Sequence, residues 1–80
     1  MNKGEWYKQF GSGITATYYH ILDIIDEETL QVERYEYNSA VKKVVTQEVE
    51  HHPAKWWMEQ VIQNNIYQVH RENVPFLLLV

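Results

Sequence analysis

Eighty residues with a formal charge of −4 and no cysteine describe one small acidic domain with room for a single core. The missing thiols exclude disulfide staples, thiolate zinc sites and cysteine nucleophiles. Seven basic residues against eleven acidic ones argue against direct binding to a phosphate backbone, which selects for Lys and Arg.

The first element is a short strand over about 5–10, Glu5-Trp6-Tyr7-Lys8-Gln9-Phe10, closed by the turn Gly11-Ser12-Gly13. No Gly-Lys-Ser/Thr follows these glycines, so they read as a tight connection and not as a phosphate loop. Residues 14–25 form the longest strand, rich in β-branched and aromatic side chains. Both of its faces are half apolar, which predicts a central strand or one that bends between two environments. Asp26-Glu27-Glu28 makes a charged reverse turn.

A third strand returns over 29–38. Its alternation slips, because Leu30 and Val32 share one parity while Tyr35 and Tyr37 share the other. A β-bulge near Glu33-Arg34 would bring all four to one face. After the turn Asn38-Ser39-Ala40, a fourth strand covers 41–50 and ends in His51-His52-Pro53. Proline suits the first helical turn, so a helix is predicted over 53–70, stopped by Glu72-Asn73-Val74-Pro75. The apolar tail 76–80 is expected to add an edge strand or to fold over the core. The whole is one α+β domain over 1–80: a four-stranded antiparallel sheet, five-stranded if the tail joins, with one C-terminal amphipathic helix packed on it.

On a helical wheel Ala54, Met58, Val61, Ile62, Asn65 and Val69 cluster on one side, with Trp57 and Ile66 on its flanks; this is the predicted inner face. The outer face reads Trp56, Gln60, Gln63, Tyr67. The two aromatics fall on one line with about 16 Å between their backbones. Trp and Tyr anchor interface hot spots, and amides adapt their hydrogen bonds to a partner. The plainer alternative is that the tail, or Trp6 and Tyr7, covers this stripe within the same chain.

The second candidate surface is acidic. Six of the eleven acidic residues, Asp23, Asp26, Glu27, Glu28, Glu33 and Glu36, crowd into fourteen positions around Arg34. Asp26, Glu27 and Glu28 form the expected tip, suited to a basic partner surface. A solvated hairpin end that blunts edge pairing is the commoner use of such a turn.

Chemistry finds little support. No His pair has the helical ligand spacing; a site from His20, His52 and a carboxylate is the one metal arrangement with any geometric plausibility. Ser12 and Ser39 lie in turns without a neighbouring histidine, so no hydrolytic triad is expected. No catalytic residue, metal ligand or cofactor is assigned. The leading reading is a small non-enzymatic protein-interaction or inhibitor module. It would act by occlusion through Trp56, Gln60, Gln63, Tyr67 and the Asp26–Glu28 turn, with self-association through the helix or tail.

Three alternatives stand beside it. They are an acidic mimic of nucleic acid that fills a basic groove, a single-strand binder using Tyr35, Tyr37 and the Lys42-Lys43-Lys55 cluster, and a metal-dependent enzyme working through its histidines. The N-terminus has no apolar signal region and the longest uninterrupted apolar run, Phe76–Val80, is far short of a bilayer span. A cytoplasmic location and no membrane association are expected.

Overall fold

The computed structural model describes residues 1–11 and 13–80. Five strands, β1 (Trp6–Gln9), β2 (Thr15–Ile25), β3 (Thr29–Asn38), β4 (Lys43–Pro53) and β5 (Ile66–Val69), form one antiparallel sheet in the order β4-β3-β2-β1-β5. The helix α1 (Ala54–Ile62) links β4 to β5, and 3₁₀ turns at Arg71–Asn73 and Phe76–Leu78 follow. The expected α+β class therefore holds, with α1 packed on one face of a five-stranded sheet. Ser12, in the expected first turn, lies outside the described residues.

The connections follow from local chemistry. Asp26 (φ 52°) and Glu27 (φ 62°) are both left-handed, and the Glu28 N–H donates to the Ile25 carbonyl at 3.1 Å. This is a two-residue type I′ turn, whose twist matches the flanking strands. Between β3 and β4 the Asn38 side chain accepts from the N–H groups of Ala40 and Val41, at 2.9 and 3.3 Å. An Asx turn of this kind replaces backbone pairing with a side-chain acceptor.

The predicted helix over 53–70 is corrected to half that length. Asn64 adopts φ 60°. Its N–H reaches the Val61 carbonyl while the Asn65 N–H reaches that of Gln60, at 3.1 and 2.9 Å. These are the paired bonds of a Schellman cap, with asparagine where glycine is more usual. Beyond it, Ile66-Tyr67-Gln68-Val69 alternates with period two and pairs with β1, from Gln9↔Ile66 to Trp6↔Val69. The fifth strand is thus β5, and the tail 76–80 contains a 3₁₀ turn instead of the edge strand expected there.

The sheet buries both faces, each under a different cover. On one, Tyr7, Tyr19, Ile21, Leu30, Val32 and Ile66 surround Trp57 of α1, which is fully buried (0% exposed). The Tyr7 and Tyr19 rings both meet the indole edge-on at 5.3 Å, a favoured aromatic geometry. On the opposite face, Trp6, Ala16, Tyr18 and Tyr35 lie beneath Val74 and Leu78 of the terminal segment.

This arrangement explains the slipped parity of β3 without the bulge expected near Glu33-Arg34. Leu30 and Val32 serve the helix-covered face, whereas Tyr35 serves the tail-covered one. The register does shift, but in the neighbours: β2 carries an extra residue at Leu22, and β4 at Val45. After Leu22 the parity of β2 reverses, so Ile24 joins Tyr19 and Ile21 against the helix.

The inner face of α1 also differs from the predicted one. Ala54, Trp57 and Val61 pack inward, whereas Met58 and Ile62 are exposed. The predicted face included the apolar Met58 and Ile62, which lie farther round the helix from Trp57 than Ala54 and Val61 do, so it was centred away from the true inner face.

Candidate functional site

The expected aromatic stripe divides. Trp56 and Gln60 stay on one side of α1, and Gln63 caps its C-terminus. Tyr67 lies on β5, where strand alternation turns it with Val69 to the tail-covered face of the sheet. The continuous Trp56-to-Tyr67 surface is therefore not formed. Its two aromatics are separated by the sheet because Asn64 ends the helix one turn before Tyr67.

What remains is a smaller, better-ordered site. Trp56 is 38% exposed, and its ring stacks on His52 at 4.6 Å with 16° between planes. Neither the tail nor Trp6 covers it, since both belong to the other face. Below Trp56 and Gln60 a cleft of about 400 Å³ runs between α1 and the sheet, lined also by Gln9, Phe10, Tyr19, Asn65 and Ile66. Asn65 Nδ2 donates to the side-chain oxygens of Gln60 and Gln63 at 2.9 and 3.3 Å, so the three amides order one another. Asn65, assigned from the sequence to the buried face, is an exposed organiser of this rim.

From Trp56 a chain of polar contacts crosses the helix-side face of the sheet. His52 Nε2 lies 3.0 Å from Glu50 Oε1. Arg34 donates from Nε to Glu50 at 2.8 Å, from Nη2 to Glu48 at 2.8 Å, and from Nη1 to Glu36. Three carboxylates around one guanidinium leave this cluster net negative, and they hold Arg34 firmly charged, the Glu50 hydrogen bond foremost. Burial works to raise the Glu50 pKa, but hydrogen bonds from Arg34 and His52 outweigh it and the net shift is downward. The register creates the cluster: Arg34 faces Glu48 across the β3–β4 ladder, and Val32 faces Glu50. Charges two apart on both strands (Arg34 and Glu36; Glu48 and Glu50) are the local signal of this polar face, but their meeting needs the β3–β4 register.

The acidic turn is where it was expected. Asp26, Glu27 and Glu28 are all exposed, and the Glu28 carbonyl accepts the first helical N–H, that of Ala54, at 2.7 Å. The turn and the start of α1 thus share one corner of the molecule. The other acids of the segment disperse. Asp23 lies 3.8 Å from Lys3, Glu36 joins Arg34, and Glu33 lies on the tail-covered face with Tyr35.

Two further expectations are corrected. His20 stacks on Trp6 at 4.3 Å on the tail-covered face, whereas His52 stacks on Trp56 on the helix-covered face, so these histidines cannot share a metal. Lys42 and Lys55 sit at opposite ends of β4, about 33 Å of extended strand apart, and form no basic cluster. Tyr35 is buried and donates its hydroxyl to Glu33, and Tyr37 packs beside it. The Tyr35 ring is thus held inside the fold, and Tyr37 is half-buried.

A second groove, of about 320 Å³, lies on the tail-covered face, among Trp6, His20, Glu33, Tyr35, Arg71 and the terminal residues 78–80. Burial lowers the His20 pKa, against the pull of Glu33. The hydrogen bond from Tyr35 lowers that of Glu33. Tyr35 itself is pushed up, first by burial and then by Glu33. Among the described residues no helix is long and apolar enough to cross a membrane. No family model, curated protein or solved structure matches the chain.

Proposed function

We propose that this chain is a non-enzymatic protein-interaction module that acts by covering a basic surface on a protein partner. The contact corner comprises Trp56 and Gln60 above the cleft, the Glu36–Glu48–Glu50 cluster around Arg34, and the Asp26–Glu28 turn. One observation carries the reading: an exposed tryptophan is held in place from below by the His52 ring, and His52 by Glu50. An anchor ordered before binding loses less side-chain entropy when it docks, and Trp is favoured among residues that dominate interface energies. The surrounding carboxylates would steer a basic partner and make association salt-dependent.

The site residues of the proposal differ from those predicted at first. Gln63 contributes through Asn65 and Gln60, and Tyr67 drops out because it faces the other way. The test compares wild type with Trp56→Ala as affinity baits in lysate, with bound polypeptides identified by mass spectrometry. A basic polypeptide held by wild type, lost by Trp56→Ala and released by salt is the expected result. If wild type and Trp56→Ala retain the same set, the proposal fails.

A further inference from the structure

We infer that the free edge of β4 is a self-association surface, where a second copy of this chain pairs antiparallel to it and joins two sheets into one. The inference shares Glu48 and Glu50 with the contact corner, but it rests on the backbone edge of β4, which the cross-linking test below reads separately from Trp56.

The two edges of the sheet are unequal. β5 offers four residues, whereas β4 offers eleven, with no strand on its outer side among the described residues. A long unpaired edge presents a row of open N–H and C=O groups, and proteins ordinarily blunt one with charge, proline or a bulge. β4 has a bulge at Val45, but its outer residues include Val45 at 61% and Val49 at 51% exposure. Beside it packs the 3₁₀ turn that holds Phe76, 73% exposed, and Leu77. Both belong to the tail-covered side, so two copies related by a twofold axis normal to the sheet would set these apolar turns on the same side of the seam.

Charge along the strand selects the partner. β4 is preceded and begun by Lys42 and Lys43 and carries Glu48 and Glu50 in its second half. Antiparallel pairing with itself therefore sets basic against acidic at both ends. The bulge refines the register. Thr46, Glu48 and Glu50 share the helix-side face, and because Val45 is the extra residue, Lys43 is the next to point that way; Val44 and Val49 share the opposite face. With the axis at Gln47, each Lys43 lies opposite Glu50 of the other copy and diagonal to its Glu48, and each Val44 lies opposite Val49. No side chain changes face across the seam, which a register displaced by one residue would violate.

The chain has no cysteine, so a single introduced thiol reports cleanly. Residues on the axis of an antiparallel pair have backbones about 4.5–5.5 Å apart, within disulfide reach. Under mild oxidation Gln47→Cys should form a disulfide-linked dimer, and Gln68→Cys on the opposite edge should not. Equal linkage of both, or none at Gln47, overturns the inference. Sedimentation should show a concentration-dependent dimer that Val49→Lys abolishes and that Lys43→Glu weakens roughly tenfold, through two lost cross-strand pairs. Mixing Lys43→Glu with Glu48→Lys copies should recover only part of the lost association, because the glutamate introduced at position 43 then has the new lysine at 48 on its diagonal but still faces Glu50 of the other copy. A chain monomeric at every concentration, or a dimer indifferent to Val49→Lys and to Lys43→Glu, overturns it equally. All of these positions are solvent-exposed, and near-UV circular dichroism of each variant confirms that the fold is retained.

Discussion

The two covers of the sheet solve one problem in different ways. On the helix side a single large side chain, Trp57, fills the space among Tyr7, Tyr19, Leu30 and Val32. Among the described residues its N–H meets no acceptor at hydrogen-bonding geometry. Burial, aided by Glu5, pushes the pKa of Tyr7 up to about 12. On the tail side the cover is two short 3₁₀ turns, and polar groups share the space with the rings: His20 lies on Trp6, and Tyr35 bonds Glu33. A regular helix can deliver one bulky plug to a dry site. An irregular tail covers less completely and leaves titratable groups near its edge.

The largest test of this contrast is Trp57→Ala. It should cost about 3–5 kcal/mol, the range for truncating a buried aromatic, measured by urea unfolding. A loss below about 2 kcal/mol would show that the tyrosines collapse into the space. Leu78→Ala on the tail side should cost less, about 2 kcal/mol, at the low end for a buried leucine, because the 3₁₀ turn can settle into the gap.

Acid should act mainly on the tail side. A histidine whose folded pKa is depressed stabilises the fold above its ordinary value near 6.5, and that contribution fades as pH falls toward the folded value. Glu33 and Glu50, held below 4.5, contribute above that value and are lost as pH falls through their folded pKa. Unfolding free energy should therefore decline in two stages on acidification, and His20→Gln should flatten the first. An unchanged slope in that variant would mean that His20 is solvated in the folded state.

The smallest effect lies outside both covers. Glu27 occupies a left-handed conformation that side chains resist. Glu27→Gly should stabilise the domain by about 0.5–1 kcal/mol, after the entropy glycine retains in the unfolded chain. A neutral or negative result would show that the strain is already relieved locally.

Much of the sheet was legible because strand signals are local. The β-branched and aromatic runs, the charged turn at Asp26 and the Asn38 turn each act within a few residues. The helix was overextended for an equally local reason. Asn65 falls on the apolar side of the helical wheel, though the Asn64-Asn65 pair suits a left-handed cap and the following Ile66-Tyr67-Gln68-Val69 alternates as a strand does. The candidate site was half visible. Trp56, Gln60 and the acidic turn were named, whereas Tyr67 was misplaced with the helix and the Arg34 cluster was not seen, because it needs the β3–β4 register.

By itself the sequence determined four of the extended segments, the turns at Asp26 and Asn38, that a helix follows Pro53, and that the domain is acidic and free of thiols. Tertiary structure decided which face each side chain serves. Face assignment depends on bulges at Leu22 and Val45 and on two separate covers, and a shift of one residue in register exchanges inside for outside. That choice belongs to the packing of the whole domain, because no strand carries enough information to know what will lie above it.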